Sequence, residues 1–165
     1  MEYYAGTLWR PGGPVEGYIG VSGGILEEIG DGTPPSKPVA TGLIVPGTVN
    51  CHTHLGDAGL ALDRAYTLEE LVAPPYGLKH RYLSTVDPQV QTARMEKYWA
   101  AMEGSGFSNA VDFRECCVEG CEIIKEAVPG VIALGRPRSP AFDHGEVSRL
   151  LDVADGIGLF GLGDV

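Results

Sequence analysis

The chain has 165 residues, 44% hydrophobic and 21% charged, with a formal net charge of -10. That length suffices for a buried core, and the composition is that of a globular protein rather than a disordered one. The acidic balance offers no basic stripe to neutralise a nucleic-acid backbone, and no apolar run approaches a membrane span, so neither nucleic acid nor membrane is expected as a partner. The N-terminus, MEYYAGTLWRPGG, lacks a basic segment followed by an apolar one, so no signal peptide is evident and a cytoplasmic location is expected. The four cysteines, Cys51, Cys116, Cys117 and Cys121, then read as reduced thiols; a short-spaced pair with Cys121 lacks the second pair that a structural zinc site needs.

Residues 1–45 read as short strands. YYAGTLW (3–9) is the first, VEGYIGVSGGILEEIG (15–30) is a hairpin turning at Ser22-Gly23-Gly24, and VATGLIVPG (39–47) returns to strand character after the proline-rich loop DGTPPSKP. From residue 46 the texture changes. An apolar run ends in VNCHTHLGD (49–57), and Thr67 and Glu70 have capping-box spacing for a short helix. VAPPYGLKHRYLSTV (72–86) reads as a long irregular connection. Asp87-Pro88 starts a helix with Thr92, Met95, Trp99 and Met102 on one face, ended by Gly104 and Gly106. SNAVDFRE (108–115) is a strand. EGCEIIKEAV (119–128) is a helix with Cys121, Ile124 and Val128 on one side. VIALGRP (131–137) is a strand, Asp143 with Glu146 opens a helix through residue 154, and GIGLFG (156–161) is a further strand. Strand and helix alternate throughout this part, which predicts a parallel sheet with helical crossovers, either open or closed into a barrel.

The polar residues gather at the ends of these strands: His52 and His54, then Asp112, Arg114 and Glu115, then Arg136. In parallel α/β folds that end is where chemistry is done. His52 and His54 are two residues apart, so a regular strand presents both imidazoles to one side, where Zn, Fe, Ni or Mn could accept them. Cys51 would face the opposite way, against the outer helices.

The arrangement resembles the amidohydrolase superfamily. VPGTVNCHTHLGD (45–57) follows that family's first-strand pattern, in which Pro-Gly and an apolar-Asn step precede His-x-His, and a strand-rich preface comes before it. The pattern is most similar to the branch of cytosine deaminase, guanine deaminase and the chlorohydrolases. The resemblance implies a (β/α)8 TIM barrel with a small β-sandwich subdomain: residues 1–45 as the strand-rich N-terminal part of a composite sandwich, and residues 46–165 as about the first four β/α units of a barrel. It implies hydrolysis of a C–N bond in a heterocyclic amine or amide by metal-activated water. His52 and His54 would be the first-strand ligands of a divalent ion, zinc first with iron or manganese as alternatives. Thr53 would pack behind them, and a carboxylate or carbonyl would hold each imidazole's other nitrogen.

The family's further ligands, histidines of the fifth and sixth strands and an aspartate of the eighth, have no counterpart here. His80 lies in the 56–86 connection and His144 before a helix, so neither takes those roles. On this reading the chain is the N-terminal part of a longer enzyme and inactive alone, and an exposed sheet edge could drive homo-oligomerisation. The fourth-strand region carries no lysine to bridge two metals, which favours one ion, and Asp164 beyond it would support a ligand, touch substrate or stand in a solvated turn. Candidate catalytic groups are Asp57, Asp112 and Arg114. Asp112 and Arg114 share a facing, and form a buried pair near the metal or a salt bridge at the barrel mouth, or Arg114 holds a substrate carboxylate. Candidate substrate-binding groups are Tyr76, His80 and Arg136, with Lys79 and Arg81 also prominent in the 56–86 connection, which is long enough to shape a pocket. The competing readings are a phosphoesterase on a related barrel and a non-catalytic scaffold that has lost its ligands.

Overall fold

The computed structural model describes residues 1–138 and 143–159. The chain divides into two compact units, Met1–Gly47 and Thr48–Val165.

In the first unit, β1 (Glu2–Arg10), β2 (Gly13–Ser22), β3 (Ile25–Asp31) and β4 (Ala40–Ile44) form one sheet in the order β3-β2-β1-β4. β2 is antiparallel to both β1 and β3, whereas β4 runs parallel to β1. The β2–β3 turn uses Gly23 and Gly24 at φ 58° and 80°, the left-handed pair that a tight hairpin requires. Ala5 and Leu8 are buried, but Ile25, Leu26, Ile29 and Leu43 stay exposed.

The second unit is a parallel sheet of β5 (Thr48–Thr53), β6 (Phe107–Arg114), β7 (Ile132–Gly135) and β8 (Gly156–Ile157), in the order β5-β6-β7-β8. Each strand pairs with the next in sequence, so the winding never reverses. Among the described residues five helices connect them: α1 (Leu68–Val72), α2 (Leu78–Thr85), α3 (Pro88–Gly104), α4 (Cys117–Ala127) and α5 (His144–Leu151). Their starts follow from local chemistry. Thr67 and Glu70 complete a reciprocal capping box on α1, Asp87 accepts from the Gln89 and Val90 amides at 2.9 and 3.3 Å with Pro88 behind it, and Asp143 accepts from the Gly145 amide at 2.8 Å. Met95 of α3, Ile124 and Ala127 of α4 with Val128 just after it, Ala110 of β6 and Ala133 of β7 build the main core, with Trp99 and Met102 packed against it. A second cluster joins Cys117, Cys121, Leu150 and Ala154. No helix among the described residues is long and apolar enough to cross a membrane.

Several expectations are corrected. The 72–86 connection is not irregular: it contains α2, which sequence periodicity hides because its buried residue is Lys79, held by ion pairs rather than by apolar contact. The α5 helix ends at Leu151 instead of running to 154. The last strand is described only at Gly156–Ile157; residues 160 and 161 of that stretch, and Asp164, lie outside the described residues. Cys51 is exposed rather than packed under helices. Asn50 pairs with Ala110 and Thr53 with Asp112, so β5 carries one extra residue there and Cys51 falls out of strict alternation.

The thiols are accordingly unequal. Cys117 and Cys121 are buried, Cys51 and Cys116 exposed, and burial pushes the Cys121 thiol up to about 11. A thiol reagent at pH 8 is expected to label Cys51 promptly and Cys121 only after denaturation, since its thiolate fraction is about 100-fold below that of an unperturbed thiol. Mass spectrometry of timed digests checks this; early modification of Cys121 would contradict the packing.

Candidate metal-ligand pair and its charged surround

At the slip in β5 the His52 amide donates to the Asn50 side-chain oxygen at 3.2 Å, which steadies the strand as it leaves the ladder. The His52 ring stacks on Phe113 of β6, centroids 4.5 Å apart and planes inclined by 29°. His54 follows directly after β5, where the backbone (φ -136°, ψ 62°) turns into a short 3-10 segment, Leu55–Asp57. The two imidazoles converge, with Nε2 of His52 and Nε2 of His54 separated by 3.2 Å. Two nitrogens bound to one tetrahedral zinc at about 2.0–2.1 Å lie about 3.3 Å apart, so this edge already has the length of a ligand pair.

The backbone carrying His54 is fixed from below by a wholly buried carboxylate. Asp112 Oδ2 accepts from the Leu55 amide at 2.6 Å and from Thr53 Oγ1 at 2.9 Å. Its other oxygen lies 3.2 Å from Arg114 Nη1 without hydrogen-bond alignment, so that pairing is one of charge. Gly56 covers the Arg114 guanidinium so closely that a Cβ there would stand 2.1 Å from Nη2. Gln91 of α3 holds the same turn by donating to the Gly56 carbonyl at 3.0 Å.

Asp112 and Arg114 do share a facing. It is the face on which Ala110 of the same strand enters the helix-covered core, while Phe113, on the opposite face, meets the His52 ring. They act on the loop that presents His54, from behind the imidazole edge.

The group that reaches the imidazole is Glu115, one residue beyond β6. Its Oε1 lies 2.5 Å from Lys79 Nζ, 3.3 Å from His54 Nδ1 and 3.9 Å from Arg136 Nη1, and its Oε2 accepts from Arg114 Nη2 at 2.8 Å. Lys79 also pairs with Asp57 Oδ2 at 3.0 Å. Asp57, Asp112 and Glu115 thus face Lys79, Arg114 and Arg136 in one largely buried charge network. Burial pushes the Glu115 carboxyl up, but the hydrogen bond with His54 and the charges of Arg114 and Lys79 outweigh it and hold the group well below the usual carboxylate range. His54 Nδ1 also lies 3.1 Å from the Phe113 carbonyl, an acceptor that calls for a proton on Nδ1 and leaves the Nε2 lone pair towards His52.

Of Tyr76, Lys79, His80 and Arg81, Lys79 alone joins Asp57 in this network. Tyr76 is 82% exposed, Arg81 is exposed, and His80 Nε2 lies 3.1 Å from the Val72 carbonyl. His80 instead lines a cleft of about 270 Å³, to which Arg136 and Glu115 of the network also contribute, with Pro74, Leu83 and Arg138. Glu115 therefore touches both the imidazole network and the cleft. The sequence marks Glu115 only as a strand-end residue, because the strand period gives no facing once Cys116 and Cys117 turn the chain at φ 68° and 55°. Among the described residues no group of three or more His, Cys, Asp or Glu could hold a metal ion; the imidazoles are a pair.

No protein-family model matches the chain. Relatives are found by sequence. An uncharacterized protein of Methanocaldococcus jannaschii is 36% identical over 126 residues, covering 73% of this chain and 33% of the relative. A protein named "Putative aminohydrolase" in Methanothermobacter thermautotrophicus is 35% identical over 163 residues, covering 88% of this chain and 42% of the relative. Solved structures share the fold. The amidohydrolase of Brucella melitensis matches 82% of this chain and 35% of its own at TM-score 0.56 and 20% identity. The zinc-complexed atrazine chlorohydrolase of Arthrobacter aurescens TC1 matches 92% and 41% at TM-score 0.60 and 15% identity. The guanine deaminase of C. acetobutylicum with bound guanine matches 92% and 42% at TM-score 0.59 and 10% identity. The fold is shared with part of an amidohydrolase. The chain spans 33% and 42% of the length of the two relatives described.

Proposed function

We propose that His52 and His54 are two ligands of a divalent metal, zinc in the first instance and iron or manganese as alternatives, in an enzyme that hydrolyses a C–N bond of a small heterocyclic amine or amide. The carrying observation is the convergence of the two Nε2 atoms to 3.2 Å while His54 Nδ1 lies 3.1 Å from the Phe113 carbonyl. The relative named as an aminohydrolase and the zinc-complexed structural neighbour support the same reading. The further ligands come from later strands of a (β/α)8 barrel, and the one-directional order β5-β6-β7-β8 suits such winding.

A bound divalent ion would lower the pKa of a coordinated water and polarise the carbon under attack. The chain's own residues prepare for it. Phe113 supports the His52 ring from one face, and Asp112 holds the Leu55 amide so that His54 leaves the strand at a fixed angle. His80 and Arg136 offer donors along the adjoining cleft, where a substrate amide or ring nitrogen would be oriented. Asp57 and Arg114 act through Lys79 and Glu115, by position rather than by contact with the reacting atoms.

Zinc titration by calorimetry, with a parallel titration of His52→Ala, tests this. The parent chain is expected to bind one zinc per chain, and the variant to lose at least tenfold in affinity. Absence of binding dependent on His52 would overturn the assignment.

A further inference from the structure

His54 Nδ1 has two kinds of neighbour. The Phe113 carbonyl at 3.1 Å and Glu115 Oε1 at 3.3 Å can only accept from it, whereas the Lys79 ammonium at 3.2 Å can only donate to it. These demands call for opposite tautomers. With the proton on Nδ1, Nε2 is a free lone pair that can join His52; with Lys79 donating to Nδ1, the proton must sit on Nε2 and ligation is blocked.

The surrounding charges decide between them. Lys79 is buried and requires acceptors. Glu115 Oε1 approaches it to 2.5 Å and Asp57 Oδ2 to 3.0 Å, both shorter than its approach to His54. Glu115 itself is anchored on its other oxygen by Arg114, whose guanidinium is confined beneath Gly56. We propose that Glu115 is a positioning residue whose carboxylate competes as the nearer acceptor for the Lys79 ammonium, so that His54 Nδ1, 3.2 Å from that ammonium, keeps its proton for the Phe113 carbonyl and the imidazole stays in the tautomer that leaves Nε2 available as a ligand. The consequence for metal binding rests on the reading of the previous subsection; the tautomer itself does not.

The arrangement makes an unusual demand on a mutant pair. Glu115→Leu leaves Lys79 with Asp57 and turns its remaining donors to His54 Nδ1. Removing the lysine as well, in Glu115→Leu/Lys79→Met, should return Nδ1–H to the Phe113 carbonyl, although two members of the network are then gone. Merely structural damage would make the double variant worse than the single one.

Long-range ¹H–¹⁵N spectra of the imidazoles read the tautomer without metal. The Nδ1–H form of His54 is expected in the parent chain, the Nε2–H form in Glu115→Leu, and the Nδ1–H form again in the double variant. Zinc affinity measured by calorimetry should follow, falling roughly 10- to 100-fold in the single variant and returning to within about threefold of the parent in the double. An unchanged tautomer in Glu115→Leu, or no recovery in the double variant, would overturn the proposal. A parent chain that binds no zinc while the tautomer switches and recovers as described would count against the metal reading alone and support the clamp.

Discussion

Arg114→Met is expected to destabilise the second unit by about 3–5 kcal/mol, the cost of leaving buried charge without its partner. The guanidinium is 1% exposed and stands between Asp112, wholly buried, and Glu115, nearly so. Methionine fills much of the volume under Gly56 but returns no charge, so both carboxylates lose a cation in a region that water does not reach. Urea unfolding at pH 7 checks the magnitude, and a loss below about 1 kcal/mol would show that the network is open to solvent. The pH profile should change in a definite direction. The Glu115 carboxyl is held below its ordinary value of about 4.3, so its contribution to stability is present above that pH and fades as the pH falls through the depressed folded value. Without Arg114 one depressing charge is gone and the folded value rises toward the unfolded one, so the acid-dependent loss of stability is smaller in the variant and is complete at higher pH than in the parent.

Gly120→Ala is the second large effect, of about 2–3 kcal/mol, with its sign set against helix propensity. In a helix interior, alanine normally exceeds glycine by roughly 0.5–1 kcal/mol. Here an added Cβ would lie 1.9 Å from the Glu115 carbonyl oxygen, which is main chain and cannot swing aside. Either α4 or the turn that carries Glu115 must move, and overpacking of that kind costs more than the propensity returns. Gly104→Ala, near the end of α3, is the matched control: a Cβ there meets nothing within 4 Å, and a gain of about 0.5 kcal/mol is expected. Thermal unfolding of the two variants should shift in opposite directions. Movement of Glu115 should also reach His54 through the contact at 3.3 Å, so Gly120→Ala is expected to perturb the His54 imidazole resonances and Gly104→Ala to leave them in place.

Much of this architecture is readable along the chain, for reasons that are local. Gly23 and Gly24 specify their turn because few other residues take positive φ twice in succession. Thr67 with Glu70, Asp87 with Pro88, and Asp143 announce helix starts because each cap is satisfied within three residues. Met95, Ile124 and Val128 are buried as their spacing predicts. The helix α2 escapes this kind of reading because its one buried residue is a lysine. Cys51 escapes because a one-residue slip in β5 depends on pairing with β6, some 60 positions away.

The site divides along the same line. His52 and His54 are visible as a pair in VNCHTHLGD, since spacing alone suggests that two imidazoles can share an ion. The Asp112–Arg114 pairing follows from two-residue alternation. What the sequence could not disclose is which face that pair occupies, or that Lys79 and Glu115, 36 positions apart, meet at His54 Nδ1. Local patterns settle elements and their caps, because those depend on φ, ψ and hydrogen bonds within a few residues. The tautomer of one imidazole depends on charges brought together from separate elements, and only the packing of the strands and helices brings them there.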